Sequence, residues 1–547
     1  MKGKVSAVRQ PRSAMAAALP GILIVMFLGA LDQTVMASAL PAVAGDLNGL
    51  DQMSTIVTGY LVAATAAMPL TGKLGDALGR KRVLQASLVL FIVGAGLCGT
   101  AQSVPALIAY RAVQGIGGGG LMIGAQASIG ELVSPRERGR YLGFIGGAYV
   151  VAVVAGPLAG GAVIDRLSWR WIFYSYIPLG LAALTVVSLT LRLPAAERGR
   201  RVDYAGAAFL SLAIVTVIML CSAGTYAGPA WLAPLLAVAA AAALSAWLVT
   251  ARRVRDPVID LRLFRDPAFA LPTAISFLIG FAMFATISYL PAFLQVAMGL
   301  SATGSGAMLI ALMGGILLTT VGSGLLIRAT GRYKPYPVAG TALAAAMMWI
   351  FSTVQASSGP GIVLLIMFGL GLGMGLVMQV MILVVQNSVD RRNLGTATAA
   401  VTFLRQVGSS IGVAVLGSLI AVRFAGGIPA DLAARLGGRL NALTPHAIAA
   451  LPAADRAAIG AAFGSAVPPV FGYAAILLAA AFILTLFLPE RELRTTAHAD
   501  AAEPRAPTAP TDPLTPSAPA APEECSGGRH PPNRQPQNRQ PRGVPND

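Results

Sequence analysis

Charge, cysteine and histidine are what this 547-residue chain has least of: Asp, Glu, Lys and Arg make up 12% of it, and it holds three cysteines and three histidines. Each shortage excludes something. So little charge beside 56% hydrophobic residues excludes a soluble globular protein. Cys98, Cys221 and Cys525 are too few and too far apart for a disulfide framework or a metal site. His446, His498 and His530 all fall outside the long apolar runs, so a proton carried within those runs cannot ride on imidazole. No GxxxxGK[ST] phosphate loop occurs, which argues against ATP hydrolysis by this polypeptide.

What is present instead is a succession of apolar runs of about 20 residues, each long enough to cross a hydrocarbon layer of roughly 30 Å as a helix. Backbone groups in lipid must be satisfied within the segment, so the expected fold class is an all-α integral membrane protein. The runs predict fourteen spans at 16–40, 54–72, 83–102, 104–130, 141–164, 171–191, 204–223, 230–250, 268–293, 304–327, 335–354, 361–386, 399–422 and 468–488. The first run has no small-residue cleavage site and reaches span length, so a cleavable signal peptide is not expected.

The formal net charge of +17 suggests nucleic acid until the basic residues are placed. Lys73, Arg80, Lys81 and Arg82 follow span 2, Arg136, Arg138 and Arg140 follow span 4, and further clusters follow spans 6, 8, 10 and 12. The connections after spans 1, 3, 7, 9 and 11 contain no Lys or Arg. This is the positive-inside pattern, which puts both termini in the cytoplasm of a cell whose inner (plasma) membrane the chain crosses many times. The basicity reads as topology; no nucleic-acid partner is expected.

Two internal matches divide the chain. Gly72, Asp76, Gly79 and Arg80 are answered 252 residues later by Gly324, Arg328, Gly331 and Arg332; Gly115, Gly117, Gly119 and Gly139 are answered 256 residues later by Gly371, Gly373, Gly375 and Gly395. The expected organisation is a cytoplasmic N-terminus at 1–15, a six-helix bundle at 16–191, two inserted linker helices with basic flanks at 192–267, and a second six-helix bundle at 268–490. That second bundle includes an external loop at 423–467 with one or two short amphipathic helices. The Pro-, Arg- and Gln-rich end, 491–547, reads as a disordered cytoplasmic tail. Two halves in parallel repeat suggest a transporter that rocks around a midplane site.

Several segments carry a family resemblance. "GKLGDALGRKRVL" from Gly72 resembles the signature of the major facilitator superfamily between its second and third helices, and "RAVQGIGGG" from Arg111 resembles its span-4 motif. "GPLAGG", with Gly156, Pro157, Gly160 and Gly161, resembles the antiporter motif of span 5. "LDQTVMASALPAVAGDL" from Leu31, "SWRWIFYSYIPLG" from Ser168 and "PVIDLRLFRDPAFA" from Pro257 are similar to segments of the fourteen-span drug:proton antiporter branch. The resemblance implies a major facilitator fold of two six-helix bundles plus two inserted helices, and multidrug efflux, with antibiotic resistance as one outcome. Ala152 stands where the span-5 motif usually has glycine, and Tyr176 where asparagine usually follows "WRWIF". By the same resemblance, Gly72, Asp76, Gly79, Arg80 and Lys81 form a gating motif in which Asp76 faces a helix N-terminus or a basic partner.

Coupling to a proton gradient would supply roughly 3 to 4 kcal/mol per proton, at about 2.3 per 100 mV and about 1.4 per pH unit. No cofactor is then needed. Asp32 is the only acid well inside a span. A carboxylate buried among apolar groups is driven toward neutrality and an approaching cation reverses that, the competition an antiporter requires. Asp32 and Arg111 lie at a shared depth of roughly 10 to 14 Å below the external surface, with Gln114 one turn further along. They form either a switching couple or a permanent structural pair. Arg405 contacts an anionic substrate group or supports packing of the second half. Met36, Tyr149, Met378, Gln379 and Phe403 are candidate cavity residues, since thioethers and aromatics suit promiscuous apolar binding; core or lipid-facing places are the alternative. Span 10 has no acid to hold a dication. The motifs GxGxxG at Gly115 and GxSxG at Gly408 sit inside spans, so neither marks a dinucleotide or hydrolase site.

The expected function is proton-coupled export, by a monomer, of small amphipathic compounds such as drugs, toxins or a secondary metabolite. Export of a specific metabolite or lipid, or a transporter-like sensor without transport, are the alternatives. An enzyme would need a polar cluster at a membrane face, which the sequence lacks.

Overall fold

A computed structural model describes residues 12–47, 53–193, 203–222, 231–254, 256–300, 302–355, 358–390, 393–435 and 451–493. The expected tail from 494 onward, and the N-terminus before 12, lie outside the described residues.

The punctuation of the sequence is visible in the helices. The first six are α1 (Arg12–Asp46), α2 (Met53–Leu78), α3 (Arg80–Gly99), α4 (Val104–Leu132), α5 (Pro135–Arg166) and α6 (Arg170–Thr190). Then come α7 (Tyr204–Ser222), α8 (Leu232–Arg253), a 3-10 turn (Leu261–Arg265), α9 (Pro267–Val296), α10 (Ala302–Thr330), α11 (Pro335–Ser352), α12 (Pro360–Ser388), α13 (Leu394–Gly427), the short α14 (Ala430–Arg435) and α15 (Ala453–Leu486). Helices α5, α9, α11 and α12 begin on proline, whose missing N–H is no loss in a first turn. Between α2 and α3 the chain turns at Gly79, with φ 99°; the repeat position Gly331, φ 73°, does the same after α10. Both angles suit a residue without a Cβ.

Fourteen of these helices are eighteen residues or longer, and ten contain a stretch long and apolar enough to cross a membrane. The chain differs from expectation in its last span. Pro468 and Pro469, placed at that span's start, lie inside α15, which begins at Ala453. Much of the expected 423–467 loop is therefore helix: α13 runs on to Gly427 and α15 starts fifteen residues early. Neighbouring backbone can re-satisfy what a proline removes within a span.

Helices α1 to α6 pack among themselves, as do α9 to α13 with α15, while α8 pairs with α7 and α7 leans on α2 and α13. The repeated glycines explain how. On α4, a Cβ at Gly115 or Gly119 would overlap the Tyr60 or Ala64 carbonyl of α2, and one at Gly117 would meet the Phe91 backbone of α3. On α12, Gly371 and Gly375 press the Leu312 and Ile316 carbonyls of α10, while Gly373 presses Gly340 and Ala344 of α11. In each half, then, a glycine helix is wedged between two neighbours at backbone distance. The bundles meet along α5–α10 and α2–α13.

Candidate functional site

Asp32 on α1 is completely buried, and its carboxylate is bonded by two side chains of α4. Arg111 Nη1 donates to Asp32 Oδ1 at 2.7 Å, to Oδ2 at 2.9 Å and to Gln114 Oε1 at 3.0 Å; Gln114 Nε2 donates to Asp32 Oδ1 at 3.1 Å. The guanidinium lies over the Tyr60 ring of α2, 4.3 Å from its centroid, and 5.8 Å from that of Phe173 on α6. Gln114 reaches this place because Gly94 lets α3 pass against its backbone. The three residues thus meet in one buried cluster. A buried charge is tolerated when paired and strongly disfavoured alone, so adding a proton to Asp32 would leave Arg111 without its counter-ion.

Arg111 also forms part of the wall of a cavity of about 990 Å³ between the two bundles. Met36, Tyr149, Met378, Gln379 and Arg405 line it, together with Gln33, Thr34, Phe284, Met283 and Met313. Asp32 and Gln114 stand behind this wall. Phe403 does not reach the cavity: it is two residues from Arg405, about 200° around α13, and packs in the core. The sequence gives no sign of which apolar residues face the cavity and which face a helix, because both environments select the same side chains.

Beneath the cavity, the end carrying the basic connections is closed. Asp76, near the end of α2, accepts from Gly395 N (3.0 Å), Thr396 N (2.8 Å) and Thr396 Oγ1 (2.9 Å) at the start of α13, and from Arg80 Nη2 (2.9 Å). Asn393 makes no side-chain cap there, so the carboxylate that caps α13 comes from the other bundle, where its charge favours a helix N-terminus. Arg80 also bonds the Ala127 carbonyl at 2.8 Å and lies 3.4 Å from Glu131. Arg138 donates to the carbonyls of Gln386, Val133 and Gly130, and Gln386 Nε2 to the Gln126 carbonyl at 3.2 Å. Gly72 admits Gly395 and Ala399 where a Cβ would overlap them. Lys81 has a different place, with Nζ donating to the Ser188 carbonyl of α6 at 2.7 Å.

Gly156 seats α5 on α1, where a Cβ would overlap Thr34 Oγ1, and Thr34 itself donates to the Ala152 carbonyl at 3.2 Å. Gly160 is buried; the side-chain surroundings of Pro157 and Gly161 lie outside what is described. Tyr176 is buried against Phe91 and Phe173. At the end away from the basic connections, the Trp169 indole (2.9 Å) and Arg170 (2.7 Å) both bond Asp46, and these bonds hold its carboxyl below the usual carboxylate range.

A two-bundle helical protein with spans, a central cavity and a closed polar seam at one end is a membrane transporter rather than an enzyme. The Major Facilitator Superfamily profile matches residues 22–413, and the chain belongs to that superfamily. It is 38% identical over 487 residues to an uncharacterized MFS-type transporter of Mycobacterium tuberculosis, covering 87% of this chain and 69% of that protein. It is 30% identical over 514 residues to the multidrug transporter protein MdtP of Bacillus subtilis, covering 89% and 95%. The crystal structure of the human organic anion transporter MFSD10 shares the fold, with a TM-score of 0.63 at 15% identity over 87% of this chain and 100% of that one.

Proposed function

We propose that this protein is a proton-coupled antiporter that exports small amphipathic compounds across the cytoplasmic (inner) membrane by alternating access. In this reading all fourteen long helices span the membrane, both termini are cytoplasmic, and the unit of transport is a monomer without a cofactor. The basic end is then the cytoplasmic end, so the closed seam around Asp76 makes the cavity outward-facing. The observation that carries the reading is the buried Asp32–Arg111 pair, bonded at 2.7 Å, with Arg111 on the cavity wall. An ionisable pair inside a span is a functional site by default. Protonation of Asp32 from outside releases Arg111 and changes the charge of the wall; deprotonation inside restores the pair. The MdtP relative supports a drug-like substrate range by its name.

The test is pH-gradient-driven uptake of a compound panel into inverted vesicles. Wild type should accumulate at least one compound and release protons as it does so. Asp32→Asn, which cannot cycle a proton, should lower gradient-driven uptake at least tenfold; uptake by Asp32→Asn at the wild-type rate would sink the coupling.

A further inference from the structure

Four arginines are buried among the described residues: Arg80, Arg111, Arg138 and Arg405. Two of them are paired with acids and a third is hydrogen-bonded to carbonyls from each of its nitrogens. Arg80 has Asp76 and Glu131, Arg111 has Asp32, and Arg138 has three carbonyls. Arg405 has none of these: only 8% exposed and on the cavity wall, it has no hydrogen-bond or ion-pair partner among the described residues.

Its position is fixed by its backbone. Gly280, on α9, lies against the Arg405 carbonyl so closely that a Cβ would overlap it, and one and two turns along Gly408 and Gly412 of α13 press Phe277 and Phe281 of α9 in the same way. Two polar neighbours on its own helix are spent on that helix, since Ser409 donates to the Arg405 carbonyl at 2.9 Å and Ser410 to that of Gln406 at 3.2 Å. The guanidinium is therefore held at the cavity with none of its five donors taken by a described residue. Two further polar groups share this end. Tyr149, on the facing α5, is the titratable group whose charge interaction reaches Arg405, and it makes no hydrogen bond among the described residues. Gln379 is buried with Oε1 unpartnered, its amide beside Gly146, one turn from Tyr149. The rest of the wall is mostly thioether, aliphatic and aromatic, with only the neutral polar side chains of Gln33, Thr34, Ser288 and Thr320 added to it.

Charge balance gives the same answer. The cavity wall carries Arg111 and Arg405, and Asp32 compensates one of them. A buried cation without a counter-charge is costly, and one monoanion would bring the site to neutrality.

We propose that Arg405 is an anion subsite, with the Tyr149 hydroxyl as an added donor, and that the exported compounds are amphipathic molecules bearing one anionic group, a carboxylate or sulfonate, on an apolar body. This rests on the exporter reading for the direction of transport. The proton site then lies in the first bundle while the anion subsite is centred on Arg405 of the second, and exchanging one entering proton for one leaving monoanion moves two charges per cycle, so an inside-negative potential drives export along with the pH gradient.

The test uses the full chain in lipid nanodiscs, with empty discs subtracted, and two fluorescent probes of nearly the same shape: 1-anilinonaphthalene-8-sulfonate and its uncharged counterpart N-phenyl-1-naphthylamine. Wild type should bind the sulfonate at least tenfold more tightly than the amine. Arg405→Gln should weaken the sulfonate about tenfold or more, the scale of a charge-assisted hydrogen bond, and leave the amine unchanged; Arg405→Lys should recover part of the loss. Equal weakening of both probes in Arg405→Gln assigns the residue to packing and overturns the proposal, as does wild-type preference for the amine or no binding of either. Gradient-driven uptake, measured separately in Asp32→Asn, checks the exporter reading: selective binding through Arg405 without proton-dependent uptake would keep the subsite and remove the coupling.

Discussion

Asp76 bonds a partner 319 residues further along the chain. Positive charges in its connection are accounted for by topology, to which acids contribute little; a buried acid needs another reason, and the N–H groups of Gly395 and Thr396 supply it. Asp76→Asn keeps the shape while removing the charge that both the helix N-terminus and Arg80 bind. We expect a weakening of about 1.5–3 kcal/mol, enough to shift the balance between closed and open seams by ten- to a hundredfold. Transport should fall while membrane insertion, followed by protease protection or surface labelling, stays at wild-type level. Equal losses of both would return Asp76 to a folding role. Arg405 shows the limit of reading residues singly. Its type and depth were legible, but its lack of partners could be seen only once every neighbour was placed.

At the scale of the helix, backbone proximity rather than side-chain fit joins the most closely packed elements. Tight cores respond to added methyls by strain of about 1–3 kcal/mol. Gly117→Ala would drive a Cβ into the Phe91 backbone, and Gly371→Ala into the Leu312 carbonyl, whereas Gly322 and Gly314 face open space. Each of the first two should therefore lower the melting temperature of the purified protein, and Gly322→Ala should leave it within a degree or two. A comparable drop in Gly322→Ala would mean that helix propensity or lipid contact, not wedge packing, governs these positions. The repeat was readable because the same packing problem occurs in both halves and only glycine solves it. The start of α15 was not, because proline breaks a helix in water yet is accommodated where neighbouring helices replace its lost bond.

For the whole molecule, the side-chain hydrogen bonds that join the bundles gather at the basic end, through Asp76, Arg136, Arg138, Gln126 and Gln386. If that end is cytoplasmic, the cavity is reached from outside. With Cys98, Cys221 and Cys525 replaced, Ser288→Cys, an exposed cavity position, should react with a membrane-impermeant maleimide in intact cells. Adding Asp76→Asn should slow that reaction severalfold as the population moves inward-open. Unchanged labelling would mean that the seam does not set the conformational balance.

The sequence by itself determined the fold class, the number of long helices, the side on which charge collects and the duplication. These follow from hydrophobic length, charge alternation and glycine spacing, which act within one segment or between identical segments. It also named Asp32 and Arg111, because an ionisable residue in an apolar run is conspicuous without its partners, and Gln114 as the polar residue one turn from Arg111. Tertiary structure decided which groups meet: Asp76 with the start of α13, Arg111 with both Asp32 and the cavity, Phe403 with the core, and Arg405 with the cavity but with no hydrogen-bond or ion-pair partner among the described residues. Those outcomes depend on how helices far apart in sequence rotate and approach, and composition within a span, apolar on every side, carries little information about which side faces which neighbour.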